Sequence, residues 1–101
     1  MQAYEELLKA LDGLSPVDGM TPIDVLNLPD DLGRLIGKLI RDGSMTLPQL
    51  ASELHLQENQ ARKVGTLLTR KGFIYKDYHR GHGLIYRPQM VRMRKRNIPD
   101  F

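Results

Sequence analysis

The feature that most constrains this chain is a change of hydrophobic period at Gly72. Before it, Ala61, Val64, Leu67 and Leu68 recur at helical spacing, which predicts a helix from about Glu58 to Lys71. After it, Phe73-Ile74-Tyr75-Lys76-Asp77-Tyr78 is aromatic and β-branched with a period near two, the pattern of a strand. His79-Arg80-Gly81-His82-Gly83 is a glycine-rich turn, Leu84-Ile85-Tyr86-Arg87 a return strand, and Pro88 its end. A helix followed at once by a β-hairpin leaves few folds open.

The upstream segments narrow them further. Leu32, Leu35, Ile36, Leu39 and Ile40 form one apolar stripe, so a helix is expected over residues 30–42. Asp30 and Asp31 suit the positive end of its dipole, Arg41 the negative end, and Gly43 is placed to terminate it. Ser44-Met45-Thr46 reads as a short extended link. Thr46-Leu47-Pro48-Gln49 matches a capping box, opening a second helix with Leu47, Leu50, Ala51 and Leu54 on one face. His55-Leu56-Gln57 makes the turn into the third helix, Leu56 plugging the gap and His55 serving as a turn residue. Nearer the N-terminus, Tyr4, Leu7, Leu8 and Leu11 mark an amphipathic helix over residues 2–11. Gly13, Ser15, Pro16 and Gly19 read as a linker, and Thr21-Pro22-Ile23-Asp24 as the start of a short helical turn ending near Pro29.

The fold class expected is mainly α with a small β-hairpin wing: a winged helix-turn-helix of three core helices plus an N-terminal helix. It occupies residues 28–88, between an N-terminal helix and linker (1–27) and residues 89–101, which read as a basic tail or a short helix. The stretch from Thr46 to Arg87 resembles the MarR-like winged-helix transcriptional regulators. Within it, Glu58-Asn59-Gln60-Ala61-Arg62-Lys63-Val64 is similar to the recognition-helix region of the archaeal transcription factor E winged helix. Residues 1–27 have no counterpart in either family.

Charge supplies the functional argument. Residues 1–50 carry four basic and eight acidic side chains, a net of −4; residues 51–101 carry eleven and four, a net of +7. Such asymmetry points to a polyanion facing the second half, the alternative being a solvated tail, since Arg92, Arg94, Lys95 and Arg96 lie there. On a wheel of about 100° per residue the third helix turns Asn59, Arg62, Lys63, Thr66 and Arg70 to the face opposite its apolar stripe. All five donate hydrogen bonds and three are cationic, whereas a solvated helix face ordinarily mixes signs for i,i+4 pairing. Arginine can pair with guanine, asparagine with adenine, and lysine or threonine can hold phosphate. At the hairpin tip, Gly81 and Gly83 would let the backbone beside Arg80 approach a phosphate closely. The family resemblance implies that such a wing arginine enters the minor groove.

Other chemistry is poorly supplied. The chain has no cysteine, which excludes disulfides, thiolate–zinc sites and a cysteine nucleophile. His79 and His82 form an H-x-x-H pair, but only Asp77 lies at ligand spacing, so neither a metal site nor any cofactor is expected. Ser15, Ser44 and Ser52 have no nucleophile-elbow context, and phosphate loops and dinucleotide fingerprints are absent; an enzyme is not expected. Tyr75, Tyr78 and Tyr86 are assigned to cross-strand packing rather than base stacking, and the five methionines to gap filling. No apolar run approaches the ~18 residues of a membrane span, and Met-Gln-Ala-Tyr-Glu-Glu is unlike a secretory signal, so a cytoplasmic protein is expected.

The expected function is therefore DNA binding by a transcriptional regulator, through Asn59, Arg62, Lys63, Thr66, Arg70 and Arg80, with double-stranded DNA as partner. The alternative is a winged-helix protein-interaction module in a transcription or other regulatory assembly, and RNA is a third ligand the charge argument allows. Useful affinity from so small a domain would call for a homodimer, with Tyr4, Leu7, Leu8 and Leu11 as its interface; the other role for that helix is folding back onto its own domain.

Overall fold

A computed structural model describes residues 4–81 and 83–91. The elements run α1 (Tyr4–Asp12), α2 (Pro22–Leu26), α3 (Asp30–Asp42), β1 (Met45–Thr46), α4 (Leu47–Leu54), α5 (Glu58–Arg70), β2 (Ile74–His79) and β3 (Gly83–Pro88). The described residues form a small mixed α/β domain in which five helices pack with a three-stranded antiparallel sheet of order β1-β3-β2.

Local chemistry explains most helix boundaries. Thr21 and Thr46 each close a capping box, with Asp24 and Gln49 respectively; the Thr46 hydroxyl accepts from the Gln49 N–H at 3.3 Å while the Gln49 side chain accepts from the Thr46 N–H at 2.8 Å. Gly43 ends α3 in the left-handed region (φ 90°), its N–H donating to the Leu39 carbonyl. His55 ends α4 the same way (φ 58°), the one described non-glycine residue with positive φ. In α3, Leu32, Leu35, Ile36 and Leu39 are buried as the stripe predicts, but Ile40 is exposed. It lies about 40° further round the helix than Ile36, beyond the edge of the packed face.

Two expectations change. The Ser44–Thr46 link is not merely a connector, because Met45 and Thr46 pair with Tyr86 and Ile85 and make the hairpin a three-stranded sheet. Two residues carry no readable period; their strand character comes from β3, far away in sequence. The second change concerns residues 13–20, read as a linker. The Val17 N–H donates to the Lys71 carbonyl (2.8 Å), and Met20 forms a parallel bridge with Met90, its N–H reaching the Gln89 carbonyl at 2.7 Å. Lys71 extends its ammonium to the Asp12 and Leu14 carbonyls at the C-terminal end of α1 (3.2 and 2.7 Å). Gly72, at φ +89°, lies so close to this segment that a Cβ would run into the Val17 carbonyl.

The core therefore extends over the N-terminal residues. Leu7, Leu11 and Met20 join Leu32, Ile36, Leu50, Ala61, Val64, Leu68, Phe73, Ile74 and Tyr86 in one cluster, and α1 packs on α5. Of the two roles weighed for the N-terminal helix, folding back is the one adopted. Leu7 and Leu11 are buried within their own chain, while Tyr4 and Leu8 are half-buried. The tail from residue 92 onward lies outside the described residues. Among the described residues, no helix is long and apolar enough to cross a membrane.

Candidate nucleic-acid interface

α5 is fixed from its inner side. Ala61, Val64, Gly65 and Leu68 are buried. Gly65 matters because of what lies beneath it: a Cβ there would stand 2.8–2.9 Å from Cε1, Cζ and the hydroxyl of Tyr86. The glycine allows β3 to approach α5 closely, and the phenol ring fills the space a side chain would occupy. Tyr86 is fully buried, and its hydroxyl makes no hydrogen bond among the described residues. Burial pushes that phenol's pKa up, and the charge of Arg62 offsets part of the shift. Leu67, expected in the core stripe, is only partly buried at the rim, about 60° round from Val64.

The outer side of α5 gathers five of the six predicted site residues. Asn59, Arg62, Lys63, Thr66 and Arg70, together with Leu67, line one open depression of about 370 Å³. Asn59, Arg62, Lys63 and Arg70 are exposed and Thr66 is half-buried. The Asn59 side-chain oxygen accepts from the Gln60 N–H (2.9 Å), which leaves its amide N–H groups as the outward donors. Among the described residues, Arg62, Lys63 and Arg70 form no ion pair. Four cations elsewhere do: Arg34 with Asp31 (3.4 Å), Lys38 with Asp42 and Glu53 (3.6 and 3.9 Å), Arg41 with Asp42 (3.9 Å) and Arg87 with Asp77 (3.0 Å).

Arg80 stands apart from this depression, exposed at the β2–β3 turn, where Gly81 and Gly83 take positive φ (89° and 72°). The H-x-x-H pair falls partly outside the described residues, since His82 is not among them. The carboxylate nearest to it, Asp77, is held by Arg87, and that hydrogen bond, followed by one from the Tyr78 N–H, lowers its pKa. No group of three potential metal ligands occurs among the described residues.

Packing accounts for one tyrosine of the three. Tyr86 is in the core, but Tyr78 is 77% exposed and Tyr75 42%. Tyr78 stands opposite Leu84 and Tyr75 opposite Arg87 on the other face of the hairpin. The close contact of Gly65 with Tyr86 was invisible to periodicity, which treats a glycine as an absent side chain. Neither a family model, nor a curated protein, nor a solved structure matches this chain.

Proposed function

We propose that the domain is a winged helix-turn-helix that binds double-stranded DNA as a transcriptional regulator, α4 and α5 forming the helix-turn-helix and β2–β3 the wing. The observation that carries this reading is the outer face of α5, where three cations are exposed with no acid paired to them among the described residues. A polyanion supplies the counter-charge that these side chains lack, and its displaced counterions favour binding. An α-helix is about 10–12 Å across and the B-DNA major groove about 12 Å wide, so α5 is a body of the right width. Within it, Arg62 and Asn59 are the base readers, by the donor chemistry that suits guanine and adenine edges. Lys63, Thr66 and Arg70 hold phosphates, and Arg80 reaches the backbone or minor groove beside the site. A second copy, if one binds the adjacent half-site, uses a surface other than Leu7 and Leu11.

Charge reversal tests the reading. The R62E/K63E double variant is expected to keep the wild-type melting temperature, because both side chains are exposed, and to lose retention on a DNA column and the mobility shift of genomic fragments. Unchanged DNA binding by a folded R62E/K63E protein would end the proposal.

The second reading, a protein-interaction module, draws support from α2, where Ile23 and Leu26 are 67% and 82% exposed. It predicts that the biological activity survives R62E/K63E and fails on substitution of Leu26 by serine.

A further inference from the structure

We propose that Tyr78 is a base-stacking residue, and that the DNA taken by this face carries an unstacked base beside the hairpin, as at a junction of duplex with single strand. The inference rests on the DNA-binding reading above and sharpens its ligand class.

Register places the residue. Residues directly opposite one another in an antiparallel pair share a face, and the face alternates with every residue. Ile74 pairs with Pro88, Lys76 with Tyr86 and Tyr78 with Leu84, so these six lie on one face of the hairpin. It is the face turned to α5, because Tyr86 lies against Gly65. Ile74 and Tyr86 are covered by the domain, whereas Lys76 and Tyr78 project past it and are exposed. Lys76 precedes Tyr78 on the same face, and Arg80 follows it at the turn.

A single exposed tyrosine means little by itself. One set between Lys76 on the same hairpin face and Arg80 at the turn is different, because an aromatic ring flanked by cations is the inventory for single-stranded nucleic acid. Paired bases in a duplex present only their edges, so the flat face of Tyr78 has a partner only where a base has left the stack. Tyr75 provides an internal contrast. It is also exposed, but it lies on the opposite face, paired with Arg87, away from α5.

The test measures affinity by fluorescence polarisation for a blunt duplex and for the same duplex carrying a single-stranded extension of roughly eight nucleotides. Wild-type protein is expected to bind the extended probe more tightly. Tyr78→Ala should weaken binding of the extended probe about tenfold while changing the blunt duplex less than about twofold. Tyr78→Trp should retain the preference, and Tyr75→Ala should leave both affinities unchanged. A 2-aminopurine in the first unpaired position should be quenched on binding wild type and not on binding Tyr78→Ala. Equal affinity of wild type for both probes, or an equal effect of Tyr78→Ala on each, overturns the stacking role while leaving DNA binding intact. If wild type binds neither probe, or R62E/K63E binds as well as wild type, the underlying reading fails and this inference with it.

Discussion

α3 and α5 are both thirteen residues long, both amphipathic, and both close with a basic residue in the last turn. Their outer faces differ. Each cation on α3 has an acid within 4 Å: Arg34 has Asp31, Lys38 has Asp42 and Glu53, and Arg41 has Asp42. The cations of α5 have none among the described residues. Exposed pairs of the α3 kind are each worth only about 0–1 kcal/mol, so their value here is diagnostic rather than energetic. They show what a face built for water looks like in this protein, and α5 departs from it. Basic content alone would not have separated the two helices; the pairing of each charge does.

The contrast can be broken most forcefully by charge reversal on each helix in turn. R62E/K63E should lower DNA affinity by more than about a hundredfold, whereas R34E/R41E should lower it less than about threefold. Equal losses measured by mobility shift would mean that net charge, and not the α5 face, governs binding.

The mid-helix glycines offer a second contrast, of intermediate size, one beside solvent and one against the sheet. Each helix has a mid-helix glycine, Gly37 in α3 and Gly65 in α5. A Cβ at Gly37 meets nothing within 4 Å, so Gly37→Ala should stabilise the fold by about 0.5–1 kcal/mol through helix propensity and unfolded-chain entropy. At Gly65 the same change drives a methyl into Tyr86 and should cost about 1–3 kcal/mol. Thermal melts should therefore shift in opposite directions, by about 4–8 °C for each kcal/mol in a domain of this size.

The smallest effect is expected at the ion pair on the sheet. Arg87 lowers the pKa of Asp77 below the ordinary 3.8, so its stabilising contribution is present above that value and is lost as pH falls through the lower folded-state value. Asp77→Asn lacks this contribution, and its melting temperature should fall slightly less steeply than wild type on acidification below pH 3.8. Identical acid limbs would show that the pair contributes nothing in solution.

How much of this could be read from the chain depended on how local the cause was. The caps at Thr21 and Thr46, the stop at Gly43 and the stripes of α3 and α5 are contained within a few residues and could be placed from sequence. The outer α5 residues followed from the same periodicity, which is why Asn59, Arg62, Lys63, Thr66 and Arg70 are found together. Non-local contacts could not be read this way. Met45 and Thr46 become a strand only because β3 is beside them, and residues 13–20 are held by Lys71, Gln89 and Val91. The phase of β2 was ambiguous for a different reason. Ile74 and Tyr78 on one face are balanced by Tyr75 on the other, so alternation alone does not say which face is inward. Even the correct phase would not have revealed that Tyr78 is exposed, since it shares its face with buried Ile74 and Tyr86.

The most direct test of the central claim is the salt dependence of DNA affinity, measured for single neutral substitutions. Wild-type log K against log salt should fall with a slope of about −0.9 for each phosphate neutralised. Replacing a phosphate-holding cation of α5 (Lys63→Ala or Arg70→Ala) should make the slope shallower by about 1, and replacing Arg34 on α3 should leave it unchanged. A slope near zero, or one that responds to Arg34→Ala as much as to Lys63→Ala, would contradict the account.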